Sequence, residues 1–201
     1  MWRFVALLPG LCFAIGCASQ SPPPPVVHVD PQAPATHDDK ATALVASLTA
    51  DVEEPRPIAD AIVATGDDAA IRTGSENLVA IARSVDTVTW REVQRPSVLH
   101  TFDGAGVTPP VEMVNQDIEN RVSLRLRSLF DAMTVLRSDA AKRYAFEIAA
   151  RADADKWSRR AAVDALASLV DPKDAAEVAL RAELAKQIKA IIDADLPMRP
   201  R

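Results

Sequence analysis

Apolar residues recur every three or four positions over most of the chain after residue 38, which is the spacing of one face of an α-helix. The pattern is strongest from residue 108 onward. Thr108 followed by Pro109 is a residue order that favours an N-cap and the first helical position. We therefore predict a long helix that begins there and ends near Arg137. Its apolar stripe consists of Val111, Val114, Ile118, Val122, Leu126, Leu129, Met133 and Leu136.

Three more helices are predicted after this one. Ser138 and Asp155 are suited to cap the first two, and Asp171 followed by Pro172 has the composition of a third helix start. The last helix is expected to stop near Pro197. The side chains predicted to face inward are Ala141, Tyr144, Ala145 and Ile148, then Trp157, Ala161, Ala165, Leu166 and Leu169, and then Leu180, Leu184, Ile188, Ile191 and Ile192.

The region 39–107 has a weaker pattern, typical of a degenerate helical region that ends in an irregular loop. We predict helices over 39–52, after Pro57, and over 68–85, where Gly74 favours a break. Residues 86–107 fit a helix turn or an extended loop better than a strand, because a single strand would have no partner. Trp90 and Phe102 lie in this stretch. Large aromatic side chains in an irregular segment either fold back onto the core or contact a partner, so both are candidate partner contacts.

The first residues follow a different pattern. Arg3 is followed by an apolar run of about a dozen residues, which is too short to cross a bilayer as a helix and has the length of a secretory signal. The residues Ala14-Ile15-Gly16-Cys17 that end this run resemble the processing box of bacterial lipoprotein signals. The resemblance implies removal of residues 1–16, attachment of a diacylglycerol to the Cys17 sulfur, and anchoring in a membrane. An ordinary signal peptide or an uncleaved anchor is the alternative.

Residues 17–38 have the composition of a tether that follows the acylated cysteine. Pro22 to Pro25 exclude a helix and favour polyproline II, which is a semi-rigid spacer. The segment around it also contains His28, Asp30, His37, Asp38 and Asp39. A flexible chain loses entropy when it gathers ligands, so we predict no metal site there. The helical domain is then expected to occupy residues 39–107 and 108–197.

Composition narrows the class of protein. The chain has a net charge of −5, few aromatic residues and two cysteines. Acidic chains repel polyanions, so we expect no nucleic-acid partner. Frequent alanine with few aromatic residues favours packed helices over sheet. Because Cys12 would be removed with the signal, no disulfide is expected in the mature chain.

The nine residues 158–166, Ser-Arg-Arg-Ala-Ala-Val-Asp-Ala-Leu, resemble the second helix of a HEAT repeat, and Asp171-Pro172 resembles the turn that follows it. The resemblance covers residues 139–192 and implies antiparallel helical hairpins. We expect an all-α fold in which these hairpins either stack as a short HEAT-like α-solenoid or close into a compact helical bundle.

No residue pattern predicts catalysis, a cofactor or a metal ion. His100 has no second ligand at a suitable spacing, and Gly104-Ala105-Gly106 does not follow a strand as a phosphate loop would. Arg121, Arg125 and Arg127 fit a solvated helix face better than an anion site.

The lipoprotein and HEAT resemblances together imply a non-enzymatic scaffold or protein-interaction module in the bacterial cell envelope. Its partners would be the membrane, through the lipid on Cys17, and an envelope protein that the sequence does not identify. Ala18 follows Cys17, so an outer-membrane location facing the periplasm is expected. The alternatives are a structural or envelope-assembly lipoprotein that binds one partner or itself, and, less favoured, an exported hydrolase. The sequence gives no sign of the oligomeric state.

Overall fold

The structure, a computed structural model, describes residues 37–103, 106 and 108–195. Within these ranges the chain forms eight α-helices and no strand, which confirms the all-α prediction. The signal segment 1–16, Cys17 and nearly all of the predicted tether lie outside the described residues. The helices are α1 (His37–Ser47), α2 (Arg56–Thr65), α3 (Asp68–Val85), α4 (Val88–Asp103), α5 (Val111–Leu136), α6 (Asp139–Ala150), α7 (Lys156–Leu169) and α8 (Ala175–Asp195).

Acidic and hydroxyl side chains start several helices, as predicted. The Asp67 carboxylate accepts hydrogen bonds from the first backbone N–H groups of α3. The Ser138 hydroxyl accepts from the backbone N–H of Ala141 at 3.1 Å, which caps α6. The Asp155 carboxylate accepts from the N–H of Trp157 at 2.6 Å and starts α7. These bonds satisfy N–H groups that have no partner within their own helix.

Two predicted caps were wrong. The helix α5 begins at Val111 with Pro110 as its N-cap, because a residue that precedes a proline is kept out of the helical conformation and Pro109 precedes Pro110. The helix α8 is capped by Asp174, whose carboxylate accepts from the N–H groups of Ala176 and Glu177. Asp171 instead accepts from the N–H of Lys173 within the preceding turn.

The helix α5 is the central element of the domain. It packs against α2, α3, α4, α6 and α7, so helices far apart in sequence meet on one helix. In a repeat array each unit contacts only its neighbours. The hairpins α2–α3, α5–α6 and α7–α8 pack in this way, because the second contacts the first and the third, and the first and the third do not contact each other. The contacts therefore agree with both predicted forms of the all-α fold, a short stack of hairpins or a compact bundle. The buried residues of α5 are Val114, Ile118, Val122, Ser123, Leu126, Leu129, Phe130, Ala132, Met133 and Leu136.

Residues 88–103 form the complete helix α4, which corrects the predicted helix turn or extended loop in this part of the chain. The helix α4 includes Pro96 and packs chiefly against α5. Val98 is fully buried in a small second core with Val114 and Ile118 of α5. The sequence of α4 shows no clear helical spacing of apolar residues, because this helix buries few side chains and contains a proline. Its stability therefore comes from tertiary packing more than from helix propensity.

The helix α3 continues through Gly74 without the predicted break. A Cβ at this position would lie 3.2 Å from Cδ1 of Ile62 and 3.5 Å from Cδ1 of Leu136. The glycine therefore allows α3 to approach the buried side chains of α2 and α5 closely. Its cost in helix propensity, about 1 kcal/mol relative to alanine, is offset by that packing.

Three residues predicted to face inward are exposed. Leu180 is 52% exposed and Ile191 is 40% exposed, because α8 lies at the edge of the domain and packs only against α7 and α6. Its buried face is limited to Leu184 and Ile188. Trp157, in the first turn of α7, is 46% exposed.

Candidate functional site

Trp90 and Phe102 were the predicted partner contacts, and the structure places both partly within the fold. Trp90 packs against the larger hydrophobic core of the domain. The Phe102 ring packs against the small core formed by Val98, Val114 and Ile118. The two side chains thus hold α4 at two separate points and do not form one surface. Their contact with a partner remains a prediction.

Among the described residues, the most buried carboxylate that forms an ion pair belongs to Asp86, at the C-terminus of α3. Its side chain is 7% exposed and lies between the guanidinium groups of Arg91 on α4 and Arg151 at the end of α6. Arg91 also donates two hydrogen bonds to Glu119 of α5, at 2.6 and 3.1 Å. The bond to Glu119 is the main cause that raises the pKa of Arg91. This network ties four helices together, and each of its charged groups forms an ion pair with another member, which indicates a structural role.

Among the described residues, the hydroxyl of Tyr144 on α6 and Nε of Arg151 are buried side-chain atoms without a hydrogen-bond partner. The Tyr144 ring stacks on Phe130, with centroids 5.7 Å apart, and the Arg83 guanidinium lies 5.6 Å from the ring centroid. Burial, followed by the nearby Asp86 carboxylate, raises the pKa of Tyr144 above its ordinary value. The hydroxyl has lost water without a replacement bond.

We predict that Tyr144→Phe raises the free energy of unfolding by about 1 kcal/mol, because the change removes an unsatisfied buried hydroxyl and keeps the stacked ring. Urea unfolding of both proteins at pH 7 measures this difference. A loss of stability of similar size would contradict the prediction and would indicate a hydrogen bond to water.

The same variant is expected to change the response of stability to high pH. The folded state keeps Tyr144 neutral above its usual pKa of about 10, whereas the unfolded chain ionises there. The free energy of unfolding therefore does not change through this group below about pH 10, and it falls as the pH rises further, by at most about 1.4 kcal/mol per unit. The advantage of Tyr144→Phe should grow between pH 9 and pH 11. An advantage that stays constant over this range would contradict the raised pKa.

An open cleft of about 1000 Å³ lies between α2, α5 and α7. The helices α2 and α7 both pack against α5, but they do not pack against each other, so a stripe of α5 is left uncovered between them. The stripe has helical spacing, which places its side chains on one face. It consists of Leu124, Arg127, Ser128, Asp131, Thr134 and Val135. The sides of the cleft are lined by Arg56 and Val63 of α2 and by Ala161, Asp164, Ala165 and Ser168 of α7.

The two carboxylates of the cleft are already paired. Asp131 accepts a hydrogen bond from Nη1 of Arg56 at 2.5 Å. Asp164 accepts from Nε of Arg160, which lies one turn away on α7, at 3.0 Å. The negative charge that the lining residues contribute is therefore neutralised within the domain itself.

Two arginines of the cleft, by contrast, have no partner within the described chain. Arg127 and Arg137 are both exposed and make no side-chain hydrogen bond or ion pair there. Arg137 ends α5 in the left-handed conformation, with φ of 48°, where glycine or asparagine is usual. Leu124, one helical turn before Arg127, is 65% exposed. The cleft thus combines an apolar side chain open to solvent with two unpaired cations.

The three arginines that the sequence grouped together have separate positions. Arg121 lies 3.6 Å from Asp117 one turn away, as expected for a helix face. Arg125 donates to the backbone carbonyls of Ala50 and Glu53 and so holds the segment between α1 and α2. Only Arg127 lines the cleft, so the three do not form an anion site together.

Leu124 and Arg137 were not predicted from the sequence as candidate site residues. One signal was present for each of them. Leu124 is out of phase with the buried stripe of α5, and Arg137 stands where a helix end would ordinarily have glycine. Neither signal shows that the two positions border the same cleft.

His, Cys, Asp and Glu residues of the described ranges form no group of three or more that could hold a metal ion. Among the helices of the same ranges, none is both long and apolar enough to cross a membrane. Comparison of the chain with protein-family models, curated proteins and solved structures found no match.

Proposed function

We propose that this protein is a lipid-anchored, non-enzymatic interaction module of the bacterial cell envelope. Diacylglycerol on Cys17 holds it in the outer membrane on the periplasmic side, and the proline-rich segment 17–38 acts as the spacer. The helical domain carries the binding surface. The resemblance of Ala14–Cys17 to a lipoprotein processing box supports the anchor, and the resemblance of residues 158–166 to a HEAT helix supports a binding role.

The observation that carries the binding role is the cleft between α2, α5 and α7. Leu124 of α5 is 65% exposed and Val63 of α2 is 40% exposed, and both line this cleft, so exposed apolar side chains of two helices face the same space. Arginine is enriched at protein interfaces, because its planar guanidinium contacts both apolar surfaces and carboxylates. A concave surface with an exposed leucine and unpaired arginines is therefore suited to bind another protein.

The proposal is tested by photo-cross-linking in the native cell. A photoreactive amino acid at position 124, in the cleft, is compared with the same residue at position 180, where Leu180 is exposed on α8. We expect a distinct protein adduct from position 124 and none of that mass from position 180. Both variants keep Cys17, so both sample the same compartment.

The other outcomes separate the alternatives. An adduct of twice the chain mass would support a structural lipoprotein that binds itself. Absence of any adduct from position 124 would contradict the cleft as the binding surface. Turnover of an envelope substrate by the purified protein would overturn the non-enzymatic proposal.

A further inference from the structure

The shape and charge of the cleft indicate what kind of partner segment it receives. We infer that the cleft between α2, α5 and α7 binds an amphipathic α-helix of the partner protein, with acidic side chains beside its apolar face. This inference rests on the proposed function and adds the chemistry of the partner.

The length of the cleft along α5 corresponds to a short helix. The α5 stripe from Leu124 to Val135 contains twelve residues and is about 16 Å long, which is three helical turns. Two flanking helices, α2 and α7, border this stripe on its two sides. The small side chains of Ala161 and Ala165 line the α7 side and allow close approach of a second backbone. A groove between helices with apolar contact points recognises an amphipathic helix through residues spaced three or four apart.

The charges of the cleft determine the sign of its partner. Arg127 and Arg137 have no carboxylate partner within the described chain, and they lie ten residues apart, about 15 Å along α5. A helix with glutamate or aspartate at a similar separation would place a carboxylate near each guanidinium. A basic helix would meet only carboxylates that Arg56 and Arg160 already occupy. Electrostatic complementarity of this kind selects among partners more than it adds affinity.

An extended polyanion fits the cleft less well than an acidic helix does. The chain has a net charge of −5, so a nucleic acid or an anionic membrane would be repelled by the rest of the surface. A short helix with two or three carboxylates meets the arginines and avoids most of that repulsion. The local excess of positive charge therefore favours a protein segment.

The test uses two synthetic peptides of about 14 residues and the full-length protein in detergent. Both peptides have the same leucine and alanine face, and one has glutamate where the other has lysine. Fluorescence anisotropy measures the Kd of each labelled peptide. We expect the glutamate peptide to bind about tenfold more tightly than the lysine peptide, from two exposed charge pairs. The preference should decrease as salt is added.

Two charge-reversed variants provide the matched comparison. The double variant Arg127→Glu with Arg137→Glu should reverse the preference in favour of the lysine peptide. The control, Arg72→Glu with Arg143→Glu, changes the net charge equally at two exposed arginines on α3 and α6 that also lack partners in the described chain. It should leave the preference for glutamate in place.

A second pair of variants tests the apolar contact. Leu124→Ser should weaken binding of both peptides about fivefold or more, because it removes an apolar contact without changing charge. Leu180→Ser, at an exposed leucine outside the cleft, should not change either Kd.

The remaining outcomes distinguish this inference from the proposed function. If position 124 still forms its adduct in cells but the glutamate and lysine peptides bind equally, the acidic helix is overturned and the interaction module stands. If neither adduct nor peptide binding is seen, both fail. If vesicles that contain phosphatidylglycerol bind through Arg127 and Arg137 while the glutamate peptide does not, the cleft binds lipid headgroups and the inference is wrong.

Discussion

Leu166→Ala is expected to lower the free energy of unfolding by about 2–5 kcal/mol, the usual cost of a large-to-small change at a buried site. Leu166 is fully buried on α7, which packs against α5, α6 and α8. Its truncation leaves a cavity where these helices meet. Ile188→Ala, at the fully buried position of α8, should cost a similar amount. Denaturant unfolding of the full-length protein, followed by circular dichroism, measures both.

The matched control for this prediction is Leu124→Ala, at a leucine that is 65% exposed. This change should cost less than about 0.5 kcal/mol, as is usual for surface positions. If Leu166→Ala were no more costly than Leu124→Ala, the assignment of the buried face of α7 would be wrong. The comparison also shows that variants at position 124 report on binding and not on folding.

Cys17→Ser is expected to abolish labelling of the protein by a fatty-acid analogue and to block processing before residue 17. The modification that the lipoprotein resemblance implies forms a bond to the cysteine sulfur, which serine lacks. Stable membrane anchoring requires more than one acyl chain, so the variant should also lose the anchor that the resemblance implies. Metabolic labelling followed by mass determination of the mature chain measures both effects.

Cys12→Ser is the control for this second prediction. Residue 12 lies in the segment expected to be removed, so the variant should be labelled and processed like the unmodified protein. Labelling that persists in Cys17→Ser would refute the lipid site. A chain cut at another position in both variants would instead indicate an ordinary signal peptide.

The charged groups of this domain fall into two kinds, which differ in burial and in ion pairing. Asp86, Arg91 and Arg151 are partly or wholly buried and form ion pairs with one another, so a ligand would have to compete with existing ion pairs. Arg127 and Arg137 are exposed and unpaired within the described chain, so a ligand can bind them without breaking an ion pair. Arg127 and Arg137 in the cleft are therefore better placed than the Asp86 network to form new ion pairs with a ligand.

Local interactions explain which features could be predicted from the sequence. The long stripe of α5, the serine cap at Ser138 and the aspartate cap at Asp155 each depend on residues a few positions apart. Helical spacing and capping bonds act over one or two turns, so the residues near each position suffice to identify them. The buried positions Leu166 and Ile188 followed from the same spacing.

Other features depend on residues that are distant along the chain. The helix α4 forms across Pro96 because Val98 meets α5, and α3 continues through Gly74 because Ile62 and Leu136 approach it there. Trp157 and Leu180 fit their apolar stripes, but no helix covers them in the described domain. Propensity and spacing predict that a helix has an apolar face, and they do not show which part of that face a neighbour covers.

The cleft is the clearest case of this second kind. Arg56, Arg127 and Asp164 come from three helices, and they line one space only because α2 and α7 both pack against α5 without touching each other. The pairing of Asp131 with Arg56, 75 residues away, leaves Arg127 unpaired. Composition and helical spacing could predict the helices themselves. The site itself is the gap between α2 and α7. Its width depends on how far apart these two helices lie on α5, and no interaction between residues close in sequence sets that distance.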